Sequence, residues 1–371
     1  MREFIKKFQS PVKRQGAERN VLLTLISFAA SVIITRSYLT ITHFPQIGGD
    51  LLHIAHVVWG GLLLFAAAIL PLIFTNRRFY LISAVLAGAG MGLFIDEVGK
   101  FITQTNDYFF QPAATIIYAF FLLTVLLYLQ VKKPSGHSAR KELYHALDIL
   151  EEFLDNDLDR DEYNELVERL EKISKETTYP ELTQLAKSIR AFLRTEHIKV
   201  SKLKPTTWER IELNFQSFER KFLRKGVYKS FLIVAISLLA AASLGNLILL
   251  VRIAISQEYF QTILMELVDV GTISGNTQLV LFILRLMLEG VAGLLFALGL
   301  LFFVIGKDKR AIYFSSYGLL FSLTTINLLA FYFDQFRAVF GSLAELLILL
   351  SLLRFQLLYH KQRMRYTLLE E

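Results

Sequence analysis

His53 and His56 stand three residues apart, so on a helix they share one face. Two adjacent acids, Asp96 and Glu97, with Lys100 one turn on, sit at the end of an apolar run. Far downstream, Arg285 and Glu289 are one helical turn apart in another apolar run. Imidazoles on one helix with carboxylates from a neighbour form a ligand set suited to zinc, manganese or iron. The same His53, His56, Asp96 and Glu97 in a desolvated pocket can instead exchange protons. A third reading is purely structural. Asp96 with Lys100, and Arg285 with Glu289, neutralise each other at i,i+4, while Arg36 and Arg337 reach to the surface along their apolar stems. The spacing of the two histidines does not choose among these, because buried histidines commonly hydrogen-bond a carboxylate. Other chemistries are excluded. The chain has no cysteine, hence no disulfide, thiolate metal site or cysteine nucleophile. It has no P-loop, no G-x-S-x-G and no H-E-x-x-H. The acidic run Asp155–Asp161 resembles a calcium loop, but Arg160 stands where the EF-hand needs Gly and Leu166 where it needs Glu. A solvated corner between helices is the better reading.

The stretch that must position the acids is Ser83–Thr103, S-A-V-L-A-G-A-G-M-G-L-F-I-D-E-V-G-K-F-I-T. It is apolar enough to cross a membrane, yet it carries Asp96, Glu97 and Lys100 near one end. Ionisable groups within a bilayer cost several kcal/mol and are functional-site candidates by default. Gly88, Gly92 and Gly99 recur with Asp96 at helical spacing. Such a face, bare except for one acid, packs closely on another helix. Asp96 is therefore expected to point into a bundle.

Of the 371 residues, 54% are hydrophobic, more apolar side chain than a soluble chain can hide. Eight transmembrane helices are predicted, at roughly 20–41, 51–74, 79–102, 112–131, 228–255, 278–305, 311–333 and 338–358. A cleaved signal peptide is the rival for the first, but the apolar run continues past Ala29 and Ala30 without a small-x-small exit. Before it, Phe4, Ile5 and Phe8 make a short amphipathic turn suited to the membrane surface. The net charge of +7 suggests a nucleic acid partner at first sight. The lysines and arginines are concentrated in a few segments, however, and the positive-inside rule accounts for them better. Residues 1–19, Arg77-Arg78, Lys132-Lys133, Lys307 to Arg310 and the tail 359–371 fall on one side. The loops at 42–50, 103–111 and 256–277 carry Asp50, Asp107, Glu258, Glu266 and Asp269 and no Lys or Arg. Both termini are thus placed in the cytoplasm.

Between Lys132 and Gly226 the charges become dense and the apolar residues periodic. Leu143, Leu147, Leu150 and Leu154 predict one amphipathic helix, and Leu166, Leu170 and Ile173 a second. Four helices are expected, at about 138–155, 160–176, 180–196 and 206–225. Asp159 is set to cap the second, with Glu162 three residues on, and Pro180 and Pro205 to open the last two. A self-contained bundle is the simpler reading, and a docking platform for a cytoplasmic protein the other. Lys199, Lys202 and Lys204 ahead of Trp208 read as a charged linker, with contact to anionic headgroups as the alternative.

The fold class is all-α, a polytopic membrane protein. Its halves, 20–131 and 227–358, hold four spans each and flank a cytoplasmic helical domain at 132–226. A shift of 232 places Gly61 on Gly293, Arg78 on Arg310 and His53 on Arg285, which reads as a parallel internal repeat. Nearly all the intramembrane charge falls in the outer leaflet: Arg36, His53, His56, Asp96, Glu97, Lys100, Arg285, Glu289, Asn327, Asp334, Arg337 and Glu345. That asymmetry predicts a polar pocket opening outward. It leaves three functions open: binding or transport of a small polar or ionic ligand, a metal-dependent enzyme acting on a lipid-linked or extracytoplasmic substrate, or a sensor that signals through the helical domain.

The run G-A-G-M-G-L-F-I-D-E-V-G-K-F-I-T at Gly88–Thr103, followed by N-D-Y-F-F-Q-P-A, resembles a group of uncharacterised bacterial multi-pass membrane proteins. The resemblance covers mainly residues 50–130 and implies a bacterial plasma (inner) membrane location. A looser similarity exists to VanZ-like and YjdF-like membrane proteins, which place an acid and a histidine at the start of one span and acids near the end of the next. Asp50 and His53 here are three apart and the downstream acids adjacent, so no residue role carries over.

Overall fold

The computed structural model describes residues 11–43, 55–133, 138–154, 158, 160–175, 180–194 and 225–367. Asp50, His53, the turn at Phe4–Phe8, Asp159 and the predicted helix at 206–225 up to residue 224, with Trp208 and the lysines before it, lie outside them. The described residues are helical, with no strand among them. In chain order they form α1 (Ala17–Ile41), α2 (His56–Ile73), α3 (Arg77–Asp96), α4 (Val98–Ile102), α5 (Gln111–Lys132), α6 (Ala139–Leu154), α7 (Arg160–Ser174) and α8 (Pro180–Leu193). Then follow α9 (Lys225–Ile255), α10 (Gln257–Asp269), α11 (Asn276–Val304) and α12 (Asp308–Phe321). A π-helical turn (Ser322–Ile326), α13 (Asn327–Asp334), a 3-10 turn (Gln335–Arg337) and α14 (Ala338–Thr367) complete the chain. Seven helical stretches among the described residues are long and apolar enough to cross a membrane, consistent with a multi-pass membrane protein. The last, Asp308–Leu357, folds back on itself at the 3-10 turn, because Ser322 and Asn327 before the turn both reach Glu345 after it.

The chain divides into two units, Met1–Ile95 with Leu123–Glu212, and Asp96–Leu122 with Leu213–Glu371. In the first, the glycine face of α3 does what its bareness predicts. A Cβ on Gly88 would lie 2.2 Å from the Thr24 carbonyl oxygen of α1, and one on Gly92 2.8 Å from the Ser31 Cβ. Hydroxyls lock the same crossing: Thr24 Oγ1 donates to the Ala84 carbonyl at 3.1 Å and Ser31 Oγ to that of Ala89 at 3.0 Å. Gly60 of α2 and Gly90 of α3 approach in the same way on the other side. Small residues and interhelical hydroxyl bonds are how helices associate where lipid removes the hydrophobic driving force.

Helices α6, α7 and α8 form the other body of this unit. Leu166, Leu170 and Ile173 are fully buried, as their spacing requires. The α6 face is the expected one only in part. Leu143 is buried and Leu150 packs on the core, but Leu147 and Leu154 are exposed, and Ala139, Ala146 and Ile149 are buried in their place. Both stripes have helical period, and the small side chains of Ala139 and Ala146 let the neighbouring helix close on theirs. Polar ties join this body to helix ends. Arg77, at the start of α3, pairs with Glu152 and with Glu162. Lys13 Nζ donates to the carbonyls of Gln130, Val131 and Lys133, capping the C-terminus of α5 from a distance. His145 Nε2 meets the Lys13 carbonyl at 3.1 Å, and Gln15 donates to Glu165.

In the second unit α9, α11, α12 and α14 share a core of Leu232, Ile236, Phe296, Phe303, Leu319, Leu352 and Phe355. Gly293 abuts Ser243, and a Cβ on Gly299 would lie 2.2 Å from Ser315 Oγ. Two expectations are corrected here. The loop 256–277 contains α10, capped by Ser256, which accepts from the Tyr259 amide at 3.2 Å. Tyr259, Phe260, Ile263, Leu264 and Leu267 give that helix one half-buried face. The third predicted span is not one helix to residue 102. It breaks at Glu97, where the Lys100 amide donates to the Glu97 carbonyl and α4 begins a separate turn.

Candidate functional site

Polar side chains gather at two places in the second unit. The first is the helix break. Asp96 and Glu97 are both buried, 0% and 1% exposed, deeper than isolated carboxylates tolerate. The break supplies donors. Tyr108 donates its hydroxyl to Asp96 Oδ2 at 2.7 Å, and Lys100 Nζ lies 3.3 Å from Glu97 Oε2 and 5.1 Å from the centre of the Tyr108 ring. The loop that carries Tyr108 is held close because Gly99 has no side chain: a Cβ there would lie 2.6 Å from the Asp107 carbonyl. Thr103 Oγ1 donates to the Gly99 carbonyl and accepts from the Asp107 amide, closing the turn. Where Asp96 and Lys100 were expected to neutralise each other at i,i+4, Lys100 pairs with Glu97 at i,i+3 and Asp96 accepts from a tyrosine.

The second place is a cavity of about 360 Å³ lined by α9, α11, the π-helical turn, α13, the 3-10 turn and α14. Its centre is a charge relay. Arg285 Nε donates to Glu289 Oε1 at 2.9 Å, and its terminal nitrogen to Asp334 Oδ2 at 2.7 Å. Asn246 donates to the other Glu289 oxygen. Deeper along α14, Glu345 accepts from Ser322 Oγ at 2.8 Å and from Asn327 Nδ2 at 3.0 Å. These two are Glu345's side-chain partners among the described residues, and neither is a cation. Arg337, exposed at the chain reversal, also lines the cavity and makes no ion pair with a described residue.

The π-helical turn sets this geometry. Its wider coil interrupts the regular helical bonding and turns Ser322 and Asn327 to the same side, a distortion frequent at functional sites. Helix α5 braces it: Tyr118 donates to the Leu323 carbonyl at 2.6 Å, and its ring stacks on Phe331 at 4.3 Å between centroids. Gln335 takes a φ of 49°, unusual for a residue with a side chain, where the chain reverses.

Of the residues singled out by sequence, Arg285 and Glu289 meet in the cavity, with Asn327, Asp334, Arg337 and Glu345 beside them. Asp96, Glu97 and Lys100 form their own cluster and do not line the cavity. Arg36 is buried at 6% exposure, not extended to the surface, while Arg337 is exposed. His56 is the first residue of α2 and half-buried, in the first unit, and its partner in the proposed ligand pair, His53, lies outside the described residues. Among the described residues no group of three or more His, Asp or Glu side chains is placed to hold a metal ion. Asn246, Ser322 and Ser342 were not foreseen. Asn246 had a visible signal, an amide inside the apolar run of α9, whereas single serines in apolar helices carry none.

Comparison with known proteins adds no relative: no family model, no curated protein and no solved structure matches the chain.

Proposed function

We propose that the protein spans the bacterial plasma membrane eight times, with both termini cytoplasmic, and holds a small polar or ionic ligand in an outward-opening pocket formed by α9, α11, α13 and α14. The observation that carries this reading is the cavity itself. It is walled by membrane-length helices, yet it is lined by Arg285, Glu289, Asn327, Asp334, Arg337 and Glu345. Polar linings of this kind mark ligand or ion pathways in membrane proteins. The reversal at Gln335–Arg337 within the last apolar stretch supports reading that stretch as two spans, and so eight in all. The ties of Lys13, Arg77 and the α5 C-terminus to α6 and α7 support a common cytoplasmic side for those ends. The parallel repeat has weaker support. Gly61 faces open space while Gly293 packs against Ser243.

A second reading is a sensor whose output is the helical domain, which is tied within its own unit to Arg77 and to Lys13. A metal-dependent enzyme built on His53, His56, Asp96 and Glu97 has no such observation behind it.

The chain has no cysteine, so one introduced thiol reports alone. Ser342 lines the cavity, and its neighbour Leu343 is exposed on the apolar exterior. In nanodiscs, Ser342→Cys is expected to react with a water-soluble maleimide much faster than Leu343→Cys, because thiolate forms only where water reaches. Equal, slow reaction at both positions would remove the hydrated pocket.

A further inference from the structure

Charge in the cavity does not balance, and the imbalance is local. Three carboxylates, Glu289, Asp334 and Glu345, face two guanidiniums, Arg285 and Arg337. Arg285 is already engaged by both Glu289 and Asp334. Among the described residues, that leaves Glu345 with neutral donors only and Arg337 without an ion pair. The two stand eight residues apart across the start of α14, about 12 Å along the axis at ~1.5 Å per residue. One end of the cavity therefore lacks a positive charge, and the other, at the exposed reversal, lacks a negative one. A bare ion fits one end alone and leaves most of about 360 Å³ to water.

Resting on the pocket reading above, we propose that the ligand is amphoteric: a small molecule with an ammonium group that binds Glu345 and an acid group that binds Arg337. The Glu345 carboxylate, held in place by Ser322 and Asn327, keeps lone pairs for an ammonium donor. Arg337 offers the planar fork that recognises carboxylate or phosphate. The Arg285–Glu289–Asp334 group, two carboxylates sharing one guanidinium, is paired within itself and tied to α9 through Asn246. The site is sensitive to acid, since a proton on Glu345 competes with the ammonium. The titratable and charged groups around Glu345 are Arg285 and Glu289 from α11, Asp334 from α13, Arg337 from the 3-10 turn and the Tyr118 phenol from α5. The α9 and π-helical walls bring Asn246, Ser243 and Ser322, which do not titrate.

The test uses full-length Ser342→Cys protein in nanodiscs and an uncharged maleimide, with γ-aminobutyrate, δ-aminovalerate and ε-aminocaproate as probes that vary the spacing of the two charges. At least one of the three is expected to slow labelling by about tenfold at saturation, as site occupancy requires. Butylammonium and butyrate, each with one of the two groups, are expected to leave the rate unchanged. Glu345→Gln, which keeps the shape beside Ser322 and Asn327, and Arg337→Gln are each expected to abolish protection while leaving unprotected labelling fast. Protection by none of the three amino acids, equal protection by butylammonium, or protection that survives Glu345→Gln or Arg337→Gln would overturn the proposal. In each of those cases fast labelling still upholds the pocket, whereas absent labelling would remove the pocket itself.

Discussion

Asp96 and Glu345 are both carboxylates within apolar helices, and the difference between their surroundings separates support from recognition. Asp96 is wholly enclosed and receives the Tyr108 hydroxyl, with Lys100 Nζ 5.1 Å from the centre of the same ring. A hydrogen bond to a charged group is worth roughly 1.5–3 kcal/mol, and leaving a buried acceptor short costs a similar amount. Tyr108→Phe is therefore expected to lower stability by about 2 kcal/mol, read from denaturant unfolding of detergent-solubilised protein, without altering Ser342→Cys labelling. An unchanged midpoint would show that the tyrosine does not hold the acid. Glu345 lines open space instead. The expense of burying Asp96 was legible in the sequence, because an acid in an apolar run has to find a partner. Which partner was not legible. Tyr108 stands twelve residues on, in a loop that Gly99 allows to lie against the helix break.

Among the elements, α3 shows how far a pattern can be trusted. Its glycine spacing foretold a close helix crossing, and Gly88 and Gly92 make it against α1. Gly88→Val would drive a side chain into the Thr24 backbone, and overpacking of this kind costs roughly 1–3 kcal/mol or more. Gly61→Val, at a position facing open space, is the matched control. The expected outcome is a lower melting temperature and poorer recovery as a single species for Gly88→Val alone; equal behaviour would contradict the crossing. The α6 face was read right at Leu143 and Leu150 and wrong at Leu147 and Leu154, because two overlapping apolar stripes share the helical period and burial favoured the one carrying Ala139 and Ala146. Periodicity states that a helix is amphipathic, but packing partners choose the face. The π-helical turn had no signature in the sequence, and the α5 contact at Leu323 that braces it joins residues 205 apart.

The ion pairs of the helical body fall into two kinds. Arg169 joins Glu142 on α6 to Glu165 on its own helix α7, partly shielded from water. Glu142→Gln is expected to cost roughly 1–3 kcal/mol. Glu168 and Glu171 lie below the usual carboxylate range because Lys172 and Lys175 hydrogen-bond them. A lowered folded value means that their contribution is complete above the unfolded carboxylate pKa, about 4.3, and is lost as pH falls through the lowered values. Both acids are solvent-exposed, so the contribution is small. Lys172→Met is accordingly expected to leave thermal unfolding at neutral pH unchanged, where Glu142→Gln shifts it. A larger effect from Lys172→Met would reverse this ranking.

At the scale of the whole molecule, composition and loop charge carried the reading. The all-helical fold and the membrane-length stretches follow from 54% hydrophobic residues arranged in long runs. The pocket follows from where the exceptions to those runs fall along the chain. Its shape does not, because Ser322, Asn327 and Glu345 converge only when the last apolar stretch reverses at Gln335. In the proposed topology this pocket opens to the outside, while Arg77 and Lys307 mark the inside. The most direct test labels single-cysteine variants in intact cells with a membrane-impermeant thiol reagent. Ser342→Cys and Gln335→Cys are expected to react at once, and Asn76→Cys and Lys307→Cys only after permeabilisation. Reaction of Ser342→Cys only after permeabilisation, or of Asn76→Cys or Lys307→Cys before it, would contradict the account.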